Sequence, residues 1–506
     1  MTPPVPPQVV VGLDVGTTGV KAVAFGMGSP WRRMAIREYP LLQPALGWAV
    51  QDPDTVVAAA AAALAECVAA TGDAEVVAVS VSTAMHGLIA LDADLRPLTP
   101  LVTWADARAH NEARALRHSS VGAELHALTG APVHPMTPLT KVMWFARHDR
   151  AIWAAARWWV GLKDYVLVWL TGRLVTELSS ASGTGLLDMS TRAWHPAAVE
   201  LCGVSVDRLP EIVATTAILS LAPATARQVD LPVGTPVVVG AADGPLGNLG
   251  TGAMTPGVAG LSLGTSGAVR MAVGTPYVDP GRTLFCYALT DSVWVVGGAI
   301  SNGGVVVRWA GHALAPDVHG TGGAGADEAV LQLAAAVPGG SDGLVMVPYL
   351  LAERAPLWDP DLPGAYLGLR QEHTRAHLIR AAVEGVCLQM RILLDRLDEA
   401  EPVSSVRVTG GVFRSPLWRQ VMAAMLDRPL SVVGDAEGTA LGAAALGLFA
   451  LGRAAHLTDA VALLSDADVP PPLVDADPEL VATYDGLRAS VFGLVRDLDR
   501  VAELFR

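Results

Sequence analysis

The sequence predicts an α/β protein of two large domains that face each other across a cleft. Three observations predict it. The chain has 506 residues, too many for one ordinary core and enough for two. Runs of alternating β-branched residues are interleaved with alanine- and leucine-rich helical runs. The stretch VGLDVGTTGVKAVAFG (11–26) returns as AGLSLGTSGAVRMAVG (259–274), so each half opens on the same strand–turn–strand unit.

In the first half, QVVVGLDVG reads as a strand, GTTG as a turn and VKAVAF as the returning strand. VVAAAAAALAECVAA is a helix, and VVAVSVST and GLIALD are strands flanking AMH. Residues 147–171 are tryptophan-rich and read as helical. TPVVVGAADGPLGNLG reads as a strand running into a glycine-rich turn, and TGAMTPG (251–257) breaks the pattern at the domain boundary. The second half continues from its hairpin into strand SVWVVGGA, helix GVVVRWAGHAL and a long helix around RAHLIRAAVEGVCLQMRILLDRL. Strand SVRVTGG then meets helix SPLWRQVMAAMLD, whose Ser415 and Pro416 fit the N-cap and first helical positions. GTALGAAALGLFALG is a helix of small residues, suited to lying close to a sheet or a nucleotide. The expected organisation is 8–253, 257–453 and a helical extension over 454–506.

Composition excludes several classes. The formal net charge of −14 argues against nucleic acid or another polyanion as partner. Mean hydropathy is high, at +0.40, yet the apolar run at 56–65 ends at Glu66, short of the roughly 18 residues a spanning helix needs. MTPPVPPQ lacks a basic n-region and an apolar h-region, so it reads as a lead-in rather than a signal peptide. Cys67, Cys202, Cys286 and Cys387 form no CxxC pair and read as reduced thiols of a cytoplasmic protein. A homodimer is compatible with such a chain. Lysine is scarce: Lys21, Lys141 and Lys163 are the only three among 35 basic residues.

The repeated turn carries the chemistry. A Gly–Thr turn between strands presents backbone N–H groups and hydroxyls in a concave nest that suits anionic oxygens. Two facing nests would hold a polyphosphate from both sides. Asp14 adds a carboxylate at the first turn, which calls for a divalent cation, Mg²⁺ with its waters, between acid and phosphates. Ser262 stands in its place at the second. No Gly–Lys pair exists, so neither turn is a Walker A loop. Asp243, at the end of an apolar strand, is placed to orient a hydroxyl and accept its proton, though a turn cap is the plainer reading. Met85 and His86 lie between two strands, where a histidine can equally serve the core. Trp104, Asp106 and Arg108 in TWADAR offer an aromatic face with polar groups, which suits a polyol or a plain surface loop.

Together these pieces resemble the FGGY family of carbohydrate kinases, from about residue 9 to about 452. MTPLTKVMWFARH (136–148) and GAYLGLRQEHTRAHLIRAAVEG (364–385) match the spacing of two family signatures. The resemblance implies two actin-like, ribonuclease H-like ATPase domains, with ATP and Mg²⁺ as cofactors and a small sugar as acceptor. It implies that Asp14, Gly16, Thr17, Thr18 and Lys21 form the first phosphate turn, with Asp14 on the metal, and that Gly264, Thr265 and Ser266 form the second. It implies Asp243 as catalytic base, Gly304 and Arg308 near the nucleotide, and Gly410, Gly411 and Ser415 at the adenosine site, where glycerol kinases carry asparagine in place of Ser415. Met85 and His86 replace the Arg–Glu pair that glycerol kinases use, and Met136 replaces a tyrosine, which speaks against glycerol.

Within the family, MHGL, TWADAR, HPMTPLTK, ASGTGLLD and FCYAL…WVVGGAISNGG resemble bacterial gluconokinases. Phosphorylation of D-gluconate to 6-phospho-D-gluconate is the implied reaction. Xylulose is the alternative acceptor, because the Met–His pair and ERAPLWDP are shared with xylulokinases. A non-kinase actin-like ATPase or a sugar sensor is the reading outside catalysis on sugars. Met85, His86, Trp104, Met136, Asp243 and Asn302 are the expected sugar contacts. For a substrate carboxylate, His86, Asn302, the amides of NGG and Arg270 are the candidates.

Overall fold

Two mixed sheets are built on one plan. The computed structural model describes residues 7–320, 324–434, 437–465 and 471–488. The first sheet contains β1 (Gln8–Val15), β2 (Gly19–Gly26), β3 (Arg32–Glu38), β4 (Glu75–Thr83), β5 (Ile218–Ser220) and β6 (Pro236–Ala242), in the order β5-β6-β4-β1-β2-β3. The second contains β7 (Val258–Leu263), β8 (Gly267–Val273), β9 (Phe285–Ala288), β10 (Trp294–Ile300), β11 (Ser405–Thr409), β12 (Leu430–Val432) and β13 (Leu473–Val474), in the order β9-β10-β8-β7-β11-β12-β13. With β9 set aside as an added edge, the two orders correspond strand for strand. In both, the hairpin and the strand beyond it are antiparallel. On the other flank two strands run parallel and the last antiparallel. The echo in the sequence is the visible part of a repeat that spans both sheets.

Local chemistry accounts for the helices. α1 (Pro53–Ala69) starts on Asp52, whose Oδ2 accepts the Thr55 N–H at 3.1 Å, with Pro53 at the first position. Its alanines pack on β2 and β3. α2 (Pro138–His148) and α3 (Leu162–Thr171) flank the site, and α3 stops at Gly172 in the left-handed region. Between them the expected helix over 147–171 is broken by a strand, Trp158–Val160. It pairs with Ile89–Leu91 and buries Trp159. Aromatic and β-branched side chains won over helical spacing because a partner edge was available.

The expected glycine-rich turn after β6 is also different: it is the helix α4 (Asp243–Gly250). Its glycines serve packing. α5 (Gly304–Leu314), α6 (Arg375–Ala400) and α7 (Pro416–Leu426) belong to the second half, and α8 (Gly438–Ala450) follows β12 as α4 follows β6. Yet α8 packs across onto β1 and β4 of the first sheet, and against α4. A β-carbon on Gly250 would lie 1.7 Å from Gly438 O, so only glycine lets the two backbones meet. A cluster between the sheets, including Val10, Phe25, Leu246, Leu249, Val295 and Leu446, ties the halves together.

Among the described residues no helix is long and apolar enough to cross a membrane, and all four cysteines are free and buried. Of the extension expected over 454–506, residues 466–470 and 489–506 lie outside the described residues, as do residues 1–6 of the lead-in. The described part holds a helix over Leu457–Leu464, the strand β13 and helical residues 478–488.

Candidate active site

The two hairpin turns open onto one cavity of about 520 Å³ between the halves. At the first turn, the Tyr39 hydroxyl donates to Gly16 O, Gln51 Nε2 to Thr17 O at 2.6 Å and Tyr39 N to Thr18 O at 3.3 Å. All three turn carbonyls are thereby held by protein donors, which leaves the Thr17 and Thr18 N–H groups for a ligand. The second turn repeats the arrangement with other partners. Gly304 N donates to Gly264 O at 2.7 Å, Gly303 N to Thr265 O at 3.1 Å, and Gly264 N to Ser266 O at 2.8 Å. The start of α5 therefore braces this turn from behind.

Asp14 and Asp243 line the same cavity, each at the end of a strand that flanks β4. Asp14 pairs with Lys21 across the β1–β2 hairpin and accepts the Ser82 hydroxyl at 2.9 Å. Burial pushes its pKa up against the pull of Ser82, Lys21 and Lys163. Asp243 opens α4 and accepts its neighbour's Gly244 N–H at 2.8 Å. Burial, then the charge of Asp14, raise its pKa to about 6, and Arg270 opposes them. Both acids lie over Lys163, whose Nζ donates to Val81 O, Val239 O and Ala241 O at 2.5, 3.1 and 3.0 Å. That ammonium satisfies the carbonyls freed where the β4–β6 register slips between Val238 and Ala241.

Asp14, open to the cavity beside two nests, is the kind of donor Mg²⁺ takes when phosphates and water supply the rest. Among the described residues no cluster of three or more acidic, histidine or cysteine side chains forms a cage of its own. The residues fit a Mg²⁺–polyphosphate and not a protein-caged metal.

The remaining wall is shaped for a small polar molecule. Met85, His86, Trp104, Met136, Arg270, Tyr287, Arg354 and Trp358 line it. His86 takes the left-handed conformation, φ 64°, and its Nδ1 donates to Gly183 O at 2.8 Å. Burial pulls its pKa down to about 3, so the ring is neutral and Nε2 is an acceptor. Lys141, from the first signature, donates to His86 O at 2.6 Å and Thr103 O at 2.7 Å. One buried ammonium therefore positions both the His86 turn and the loop of Trp104. Trp104 Nε1 donates to Thr17 Oγ1 at 2.8 Å, and Arg354 Cζ lies 4.9 Å from its ring centroid. Asp106 and Arg108 do not face the cavity: they form a buried bidentate pair, with Arg108 stacked on Trp48.

Of the expected residues, Asp14, Thr17, Lys21, Gly264, Ser266, Gly410, Met85, His86, Trp104, Met136 and Asp243 line the cavity. Gly16, Thr18 and Thr265 complete the turns beside it. Thr409, Gly410 and the start of α8 at Gly438–Ala440 form its other end. Gly304 braces the second turn, Arg308 is exposed on the outer face of α5, and Gly411 and Ser415 precede α7 outside the cavity lining. Asn302 is fully buried: its amide is bonded to Leu350 N, Leu351 N, Leu351 O and Glu353 Oε2. It fastens the loop that carries Arg354. Sequence reasoning passed over Arg354, Tyr287, Lys141 and Lys163 as site residues. The scarcity of lysine was the available signal, because all three lysines lie at or beneath the cavity.

Comparison with known proteins agrees with this geometry. Residues 9–250 match the N-terminal domain of the FGGY family of carbohydrate kinases, and residues 259–451 its C-terminal domain. A gluconokinase of Bacillus subtilis is 37% identical over 450 residues, 88% of each chain. A xylulose kinase of the same organism is 28% identical over 449 residues, again 88% of each. The crystal structures of a gluconate kinase and of a xylulose kinase, both from Lactobacillus acidophilus, each superpose with a TM-score of 0.92 at 28% identity, over 99% of this chain and 100% of theirs. The chain is a two-domain carbohydrate kinase and belongs to the FGGY family.

Proposed function

We propose that this kinase transfers the γ-phosphoryl group of ATP to the terminal hydroxyl of D-gluconate, giving 6-phospho-D-gluconate and ADP in the cytoplasm. The observation that carries the reaction is one cavity lined by both phosphate turns, Asp14 and Asp243. In this reading residues 8–253 and 257–453 are the two lobes. The Thr17, Thr18, Thr265 and Ser266 region holds phosphate oxygens through N–H groups and hydroxyls, and the cavity end at Gly410 and Gly438 receives the nucleoside. Asp243 orients the acceptor hydroxyl and takes its proton as the oxygen bonds to phosphorus and the bond to the ADP oxygen breaks. Asp14 faces the phosphates, where a bound Mg²⁺ would neutralise their charge. Closure of the lobes about the α4–α8 crossing would exclude water and limit hydrolysis of ATP.

The greater likeness to a gluconokinase than to a xylulose kinase supports gluconate as acceptor. The Met85–His86 pair, shared with xylulokinases, favours xylulose as the second reading. The deciding measurement is kcat/KM for D-gluconate against D-xylulose, with ADP release followed in a coupled assay. A preference for xylulose would replace the acceptor and leave the phosphate chemistry standing. ADP release indifferent to every sugar offered would remove the kinase reading itself.

A further inference from the structure

We infer that Arg270 and Arg354 together form a receptor for the carboxylate of the acceptor, so that the enzyme selects its sugar by its acid group. The inference rests on the reading of the chain as a gluconokinase.

Both arginines line the cavity from the second half. Arg270 projects from β8 towards α4: Nε and Nη2 each lie 3.5 Å from where a β-carbon on Gly244 would stand. Arg354 reaches the same wall from the loop held by Asn302 and Glu353. The hydrogen-bond partners of both guanidiniums are neutral. Arg270 Nη1 donates to Ser262 Oγ at 3.3 Å, and its buried Nε has no partner. Arg354 Nε donates to Ser301 Oγ at 3.3 Å and Nη2 to Ile300 O at 2.6 Å. Beside them the buried Tyr287 Oη is also without a partner.

The nearby acids act on the pair by charge, Asp243 on both and Glu353 on Arg354, but none of them hydrogen-bonds either guanidinium. Glu353 accepts Ser301 N, Arg354 N and Asn302 Nδ2. Glu437, on the nucleotide side, pairs with Arg32. Asp243 faces the reacting hydroxyl. The wall holds two buried guanidiniums side by side: burial pulls the pKa of Arg354 down, Glu353 opposes it, and the charge of Arg270 adds to the fall. A neutral ketose offers these donors hydroxyls only, whereas a carboxylate offers four lone-pair sites and accepts guanidinium donors in pairs. The other sequence-level candidates do not supply this charge. His86 is neutral with Nδ1 engaged, and the Asn302 amide is fully bonded.

The test compares D-gluconate with D-glucitol, the same six-carbon chain with a hydroxymethyl group in place of the carboxylate, at pH 8, above the titration of Asp243. Wild type should prefer gluconate. Arg270→Met and Arg354→Met should each raise KM for gluconate roughly 10- to 100-fold, with a loss in kcat/KM for glucitol at least about tenfold smaller than that for gluconate. Arg270→Lys, which keeps charge but not the planar fork, should recover part of the loss. Equal losses on both substrates, or an unchanged KM for gluconate in folded variants, would overturn the assignment. Should either methionine variant fail to fold, Arg270→Lys decides alone: a raised KM confined to gluconate supports the receptor, and no change on either substrate overturns it. Failure of the parent reading is separate, because it shows in wild type as no preference for gluconate over xylulose or glucitol.

Discussion

Gly12 on β1 and Gly260 on β7 stand at the same place in the two hairpins, and each is where a helix following the other sheet comes down. A β-carbon on Gly12 would lie 2.1 Å from Ala440 O of α8, and one on Gly260 would lie 2.3 Å from Asn248 Oδ1 of α4. Two residues further along, each strand delivers Asp14 or Ser262 to the cleft. The glycines thus seat the crossed helices, and α4 presents Asp243 from that seat. Packing at these two positions sets how far apart the two hairpin turns and Asp243 are held.

Substitution should reveal an order between the two. Gly12→Ala meets backbone and should cost about 1–3 kcal/mol. Gly260→Ala meets side-chain atoms of Asn248, Ala253 and Thr251 rather than backbone, so it should cost less. Gly325→Ala, in an exposed helical position with open space around it, should be neutral or stabilising by about 0.5–1 kcal/mol. Denaturation midpoints for the three variants check this, and a harmless Gly12→Ala would refute the seating.

Asp243 must be ionised to accept a proton. Because burial raises its pKa to about 6, kcat/KM should be flat above that value and fall as pH drops through it. Asp243→Asn should lower kcat by roughly 10²- to 10⁴-fold, with sugar and ATP binding retained. A pH–rate profile and isothermal titration measure the two parts, and near-normal turnover in the variant removes the assignment.

Lys141→Met leaves His86 O and Thr103 O without their amine donor. His86 and Trp104 lose their positions together, so the sugar KM should rise roughly tenfold or more while the KM for ATP stays the same. Equal changes in both constants would point to general loss of fold rather than to the acceptor side.

The two turns should respond unequally. Asp14→Ala should lower turnover by on the order of 10² or more and blunt its dependence on Mg²⁺ concentration, since charge at the transferring phosphate is then unsupported. Ser262→Ala removes one long hydrogen bond to Arg270 and should change kcat less than about threefold. Mg²⁺ titrations of both variants test the asymmetry; similar losses would mean that the repeat is functionally symmetric.

Much of this was legible in the chain. Both hairpins, the long helix ending at Ala400 and the small-residue helix α8 were written in periodicity and composition. So was Asp243 at a strand end. The glycine-rich segment 243–250 misled because three glycines in eight residues look like a turn when the helix they meet is out of view. Arg354 was hidden because its loop carries no periodicity and its partners, Ile300 and Ser301, lie some fifty residues away. Lys163 was hidden because its work is to satisfy carbonyls exposed by a register slip that no local pattern records.

By itself the sequence determined the family, the duplication, the two Gly–Thr turns and the place of Asp243 at a strand end, because each is carried by residues close together along the chain. Only the tertiary structure decided that α8 crosses onto the first sheet, that Asn302 buttresses rather than lines the cleft, and that two arginines without acidic hydrogen-bond partners share one wall. Those relations join segments tens to hundreds of residues apart. They are settled by which backbones can touch and which buried charges find a partner, and neither is a property of any local stretch of sequence.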